Sequence, residues 1–268
     1  MPQGPYGAEY QYLTGEAQAP KVAHVQENRC FPFIVAVCVL EGQYQVSALA
    51  GEKLVAHAGE AVVVPENLPH IISMPGPGKL NWAHFCCRFC GRDVLSALSG
   101  PCLLQGKDAA LLSERCQRLT ALSPKAEGQH HLSALLEQDS MVAQIGASLL
   151  SALSLDLPML SPPIQAAVAC LDQRRSHPPA LWEVAAAAGL SVSALEKRFH
   201  VEMGRTPLQY QLERRLQLAV LLLLQGRCVY EAAEEAGFSD PYYFSKVFKK
   251  KMGLSPSSYL RQYRGGGL

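Results

Sequence analysis

The chain copies itself near its end, and no other feature narrows its fold as far. Leu181-Trp182-Glu183-Val184-Ala185-Ala186-Ala187-Ala188-Gly189-Leu190-Ser191 lines up with Val229-Tyr230-Glu231-Ala232-Ala233-Glu234-Glu235-Ala236-Gly237-Phe238-Ser239 at an offset of 48. One extra residue in the second copy moves the offset to 49. It then pairs Leu195 with Phe244, Lys197 with Lys246, Phe199 with Phe248, Met203 with Met252, Gly204 with Gly253, Pro207 with Pro256 and Tyr210 with Tyr259. Each copy makes physical sense alone. Alanines on a first short helix let a second helix cross closely. Gly189 and Gly237 stand where that helix must end and the chain turn, a place for a residue that takes positive φ. Ser191 and Ser239 follow as N-cap candidates. The next helix carries Leu195 and Phe199, or Phe244, Val247 and Phe248, on one face and leaves a polar, basic face opposite. Gly204 and Gly253 stop it, and Pro207 and Pro256 open another. Helix, glycine turn, helix is the helix-turn-helix plan, whose second helix enters the DNA major groove. One such pair is common; two in register are specific.

Charge follows the repeat. The 268 residues net only +1, yet 161–268 hold 14 Lys/Arg against 9 Asp/Glu while 1–160 hold 10 against 14. A basic C-terminal part suits phosphate binding. Between the parts, Leu157-Pro158-Met159-Leu160-Ser161-Pro162-Pro163 has three prolines in six residues, which cannot continue a helix. The chain is therefore read as a domain over 1–156, a linker over 157–163 and a domain over 164–268.

The first domain changes period along its length. About the first 20 residues, rich in Gly, Pro, Gln and Tyr, read as an arm or tail. Residues 33–40, 44–47, 53–56, 61–64, 71–72 and 81–89 are short strand-like runs divided by turn signals such as Glu41-Gly42 and Pro65-Glu66-Asn67-Leu68-Pro69. Close, regular spacing of this kind suggests a small barrel or sandwich. Residues 108–122 and 131–155 then show helical spacing, with Leu132, Leu135, Leu136, Val142, Ile145, Leu149 and Leu153 in one stripe. Joined across 123–128, they predict an antiparallel hairpin whose stripe packs on the strands or pairs with a second subunit as a homodimer. The expected fold is α+β in two domains, a small β-barrel with a helical hairpin followed by an all-α double helix-turn-helix. No apolar run is long enough to span a bilayer and no secretory signal opens the chain, so its nine cysteines point to a reducing cytoplasm.

Gly237-Phe238-Ser239-Asp240-Pro241-Tyr242-Tyr243-Phe244-Ser245-Lys246-Val247-Phe248-Lys249-Lys250, followed by Gly253-Leu254-Ser255-Pro256-Ser257-Ser258-Tyr259, resembles the C-terminal signature of the AraC/XylS family of transcription regulators. Glu41-Gly42, Ala58-Gly59-Glu60, Val64-Pro65-Glu66, Pro69-His70 and Trp82-Ala83-His84-Phe85 resemble, more loosely, the cupin-like effector domain that many such regulators carry. The resemblance implies a long helix near 208–224 that joins the two units and sets two recognition helices about one helical turn of DNA apart, ~34 Å. It implies double-stranded DNA as partner and a small-molecule effector in the barrel, with sugars the first class to try because relatives often bind them.

Candidate DNA contacts are the residues pointing away from the core face. On the first recognition helix these are Ser193, Ala194, Glu196, Lys197 and Arg198; on the second, Pro241, Tyr242, Ser245, Lys246, Lys249 and Lys250. Glu196 is out of place beside phosphates unless it accepts from cytosine N4. Asp240 and Ser239 read as caps, and Lys249-Lys250-Lys251 as phosphate contacts, which add affinity but no sequence choice. Candidate effector contacts are His24, Tyr44, His70, Trp82 and His84, each with a buried structural role as the alternative. His57, His70 and His84 are scattered and no His-x-His occurs, so no metal, cofactor or enzymatic activity is expected. In Cys86-Cys87-Arg88-Phe89-Cys90, Cys86 and Cys90 would share one strand face, too far apart to bridge, and read as buried small hydrophobes. Two other classes stay open: a metal-dependent cupin enzyme with an appended DNA-binding module, and a thiol-based redox sensor.

Overall fold

A computed structural model describes residues 8–49, 51, 53–122, 132–173 and 178–265. They form two compact units, one of Tyr10–Arg88 with Asp93–Leu157, the other of Pro158–Tyr263 with Ala8, Glu9 and Phe89–Arg92.

The first unit is built on strands β1 (Ala8–Gln18), β2 (His24–Arg29), β3 (Ile34–Glu41), β4 (Gln43–Ala48), β5 (Lys53–His57), β6 (Ala61–Val64), β7 (His70–Met74), β8 (Lys79–Phe89), β9 (Arg92–Asp93) and β10 (Cys102–Leu104). One sheet runs β1-β8-β3-β6-β10 with β9 beside β8; the other runs β2-β7-β4-β5. The expected barrel is not closed: among the described residues the strands form two separate sheets. The expected N-terminal tail is corrected over Ala8–Gln18, which is an edge strand on β8. Its glycine is the reason for both readings: Gly15 looks like a loop residue, but a β-carbon there would overlap the Trp82 carbonyl oxygen, so the strand lies hard against its neighbour.

Register decides which side chains share a face. Val35, Val37 and Val39 stand opposite His84, Trp82 and Leu80, while Ala36 and Cys38 stand opposite Ala83 and Asn81 on the other face. That second face meets the helices. Helix α1 (Gly106–Ala121) brings Cys116 to hydrogen-bond distance of Cys38. Helix α2 (Leu132–Ala152) brings Gly146 onto Cys87. The helices run antiparallel: Arg115 donates to the Gln144 carbonyl at 2.9 Å and Gln138 to the Leu122 carbonyl at 3.3 Å. The connection at 123–131 lies outside the described residues. Met141, Val142, Ile145 and Leu149 are buried, but Leu132, Leu135 and Leu136 are 70%, 45% and 60% exposed, so the expected stripe is core only from the middle of α2 onward.

The second unit is helical: α3 (Pro162–Gln173), α4 (Leu181–Ala187), α5 (Val192–Met203), α6 (Pro207–Leu224), α7 (Val229–Glu235), α8 (Pro241–Met252) and α9 (Pro256–Gly265). Pro162 and Pro163, expected in the linker, open α3 instead. Proline is disfavoured inside a helix but suits its first turn, where the missing N–H has no intrahelical partner to lose. Cys90 is corrected as well. The strand ends at Phe89, and Cys90 takes a left-handed turn (φ 47) into the core that holds Ile164, Val168, Phe199 and Tyr210. A buried polar network crosses this unit. Arg214 donates to Asp172 at 2.9 Å, to Glu9 at 2.5 Å and to Gln217 at 2.5 Å, and the Tyr210 hydroxyl donates to Asp172 at 3.0 Å. Each charge there is met by an opposite charge or a dipole, as burial requires.

Candidate nucleic-acid interface

The two repeats fold alike down to ring contacts. Phe199 meets Tyr210 edge-on at 5.8 Å, and Phe248 meets Tyr259 edge-on at 5.4 Å, one repeat length later. The turns use Gly189 at φ 64 and Gly237 at φ 83, and Gly204 and Gly253 close the second helices in the left-handed region. Leu195, Phe199 and Met203 in α5, and Phe244, Phe248 and Met252 in α8, are buried and fix which face looks outward. Caps differ between copies. Ser191 accepts from the Ala194 N–H as expected, but in the second copy Asp240 caps α8, accepting from the Tyr242 N–H at 2.8 Å, and Ser239 does not. The extra residue lies between the turn and Pro241, so the cap moves one place along.

Ser193, Ala194, Glu196, Lys197 and Arg198 are all exposed on α5, and Pro241, Tyr242, Lys246, Lys249 and Lys250 on α8, with Ser245 half-buried among them. Tyr242 is 89% exposed. Two cations are already engaged. Arg198 donates to Glu202 one turn on, at 2.9 Å, and Lys251, expected on phosphate, donates to Glu213 at 2.8 Å. Sequence reasoning missed the residues that hold the second repeat on α6. Arg215 donates from Nε to the Ala236 carbonyl at 3.0 Å and from a terminal nitrogen to the Gly237 carbonyl, and lies 3.9 Å over the Phe238 ring. It therefore supplies donors to the carbonyls that end α7. An arginine two residues beyond Glu213 on a helix carries no sequence signal of that role. Helix α6 has 18 residues, so it is about 27 Å long.

The five candidate effector residues lie together in the sheet unit. His24 stands opposite Met74 across β2 and β7, Val46 of β4 stands opposite Ile72, and by strand alternation His70 and Tyr44 share that face. From the facing sheet, the His84 ring lies 4.6 Å from Trp82, 4.9 Å from Phe33 and 5.3 Å from Phe31, and Phe31 also meets His70 at 6.1 Å. The Tyr44 hydroxyl, the Trp82 indole N–H and His24 Nε2 are buried without a hydrogen-bond partner among the described residues. Burial drives the His70 imidazole down to about 4, the His84 imidazole well below 6.5 and the Tyr44 phenol up to about 12. The Arg29 guanidinium acts on all three from the same face, a residue the sequence reading left out. The cysteine cluster is buried, and desolvation pushes the Cys87 thiol up, away from a reactive thiolate.

Two glycine-hinged helix pairs on one connecting helix, each showing a polar and partly basic face, define a tandem helix-turn-helix DNA-binding domain. A helix-turn-helix domain family matches residues 184–262. The chain is 35% identical over 130 residues to the MmsAB operon regulatory protein of Pseudomonas aeruginosa, covering 46% of this chain and 42% of that one. It is 40% identical over 94 residues to the uncharacterized HTH-type transcriptional regulator YidL of Escherichia coli, covering 35% and 30%. The chain thus spans less than half the length of these curated relatives, which are transcriptional regulators. ToxT from Vibrio cholerae shares the fold over nearly the whole chain, with a TM-score of 0.57 at 13% identity over 94% of this chain and 96% of that one. A second ToxT structure, at TM-score 0.56 and 12% identity, holds an unsaturated fatty acid. Residues 184–262 are thus similar to the helix-turn-helix domain of these regulators.

Proposed function

We propose that the intact chain regulates transcription by binding a two-part DNA site through α5 and α8, under the control of a small molecule held between its two sheets. The observation that carries the DNA half is the outward, partly basic face presented by both repeats, with Lys197 and Lys246 exposed at equivalent positions. Residues 164–268 bind DNA in this reading, and 1–156 form a cupin-like sensing domain. The exposed start of α2 pairs with a second copy, and the protein works in the cytoplasm. No helix among the described residues is long and apolar enough to cross a membrane.

The effector half rests on the orphaned Tyr44, Trp82 and His24 groups, since buried polar atoms without partners are costly unless something supplies hydrogen bonds. A sugar would use these donors and acceptors; the fatty acid seen in ToxT, a protein of the same fold, makes long carboxylic acids the second class to screen. Among the described residues no three His, Cys, Asp or Glu side chains converge on a metal-sized site.

The test is selection of duplexes from a randomised library by the full chain, followed by anisotropy titrations. Lys197→Ala or Lys246→Ala is expected to weaken the selected duplex by about tenfold or more. Lys250→Ala should weaken all duplexes evenly and lower the salt slope by about one. A chain that ignores every duplex at low salt would sink the reading.

A further inference from the structure

Among the described residues, Glu213 on α6 is a carboxylate that touches the ends of both recognition-helix segments. Its Oε2 accepts from Arg205 at 2.6 Å, and its Oε1 accepts from Lys251 at 2.8 Å. Arg205 follows directly on the C-cap of α5 and also donates to the carbonyl of Met203, the last residue of that helix, at 3.3 Å. Lys251 is the penultimate residue of α8. The contact is not part of the repeat: Glu202, the first-copy counterpart of Lys251, instead accepts from the backbone and hydroxyl of Ser161 at 2.7 Å each. A residue outside both repeats thus fixes one repeat to the other. Arg215 anchors the second repeat at the end of α7 and Glu213 anchors it at the end of α8, so that repeat is held on α6 at two points, and Glu213 also reaches the first repeat.

We infer that Glu213 is a positioning residue that sets the base-pair spacing between the two DNA sub-sites, by clamping the ends of α5 and α8 through Arg205 and Lys251. This rests on the tandem DNA-binding reading above. The side chains are 19% (Glu213), 28% (Arg205) and 41% (Lys251) exposed, so solvent screens each pair and the effect is graded. Held by Glu213, Lys251 is also withdrawn from phosphate, unlike its exposed neighbours Lys249 and Lys250.

The experiment uses the full chain and the duplex it selects from a randomised library, with one or two base pairs then added or removed between the sub-sites. Glu213→Gln keeps the shape of the side chain and removes its charge. It is expected to bind the parent duplex about fivefold more weakly, and to lose a smaller factor than wild type when the spacing changes. Lys251→Gln should relax the spacing in the same way, the double substitution should add nothing further, and thermal unfolding should show each variant folded. Lys251→Gln should leave the salt slope of wild type in place, whereas Lys250→Gln lowers it by about one. The inference fails if either variant keeps the wild-type penalty for altered spacing, or if Lys251→Gln lowers the salt slope as Lys250→Gln does. Should wild type select no two-part duplex at all, the tandem reading itself fails, and this inference with it.

Discussion

At Gly146 a β-carbon would overlap the Cys87 sulfur across the contact between α2 and β8, whereas at Gly189 it would meet nothing within 4 Å. The two glycines are therefore needed for different reasons. One lets a helix approach a strand, and the other takes φ 64 in the first turn. Gly146→Ala is an overpacking substitution in a filled core and is expected to destabilise by about 2 kcal/mol. Gly189→Ala keeps all its space and loses only the left-handed backbone preference, about 1 kcal/mol. Urea unfolding of the full chain, followed by Trp82 emission for the first variant and by helical circular dichroism for the second, measures both. A larger loss at Gly189 would mean that the turn, and not the helix-to-sheet contact, is the less forgiving site.

At the scale of elements, the beginning of α2 makes the sharpest forecast. Leu132, Leu135 and Leu136 stay exposed on a helix whose later turns are buried, a face that a second copy would cover. Leu136→Glu is expected to shift the chain from dimer to monomer in sedimentation with little change in its unfolding midpoint, because the residue supports no core within the protomer. A wild-type chain that sediments as a monomer would end that proposal. What the sequence made legible follows the strength of local signals. The helical repeats announced themselves because Gly and Pro mark both ends of every helix and the apolar period is regular. Strands β3 to β8 were legible from apolar runs between turns. Strand β2 was not, because it turns Gln26 and Arg29 inward, reversing the alternation that marks a strand. The same reversal hid Arg29 from the effector residues, while the neighbouring His and aromatic residues stood out. Of the two caps expected for α8, Asp240 serves and Ser239 does not, because the one-residue insertion moves the helix start along. Glu213 and Arg215 were illegible because their partners are distant in sequence.

Over the whole molecule, salt and pH should act on different units, salt on the basic faces of α5 and α8 and pH on the sheet interior. His70 is held at about 4 and His84 well below 6.5, both chiefly by burial, so between about pH 4 and 6.5 the unfolded chain binds protons at these sites that the folded chain refuses. Both groups therefore favour folding more as pH rises through that window. Asp93 opposes them. Burial, with Glu66 nearby, raises its carboxyl from 3.8 to about 7, so over the same range the folded chain keeps a proton that the unfolded chain has released. Two sites outweigh one, and the sheet unit should gain stability from about pH 4 to about 6.5, at most ~1.4 kcal/mol per pH unit for each proton not cancelled. Trp182→Phe removes the exposed indole and leaves Trp82, buried beside His84, as the reporter. In that background the unfolding midpoint should climb with pH across the window. Adding His70→Gln deletes one of the two favourable sites, leaving one proton against one, and should nearly flatten the curve. A midpoint that falls over this range in the parent, or a slope that His70→Gln leaves unchanged, would show that His70 is not held neutral in the sheet interior.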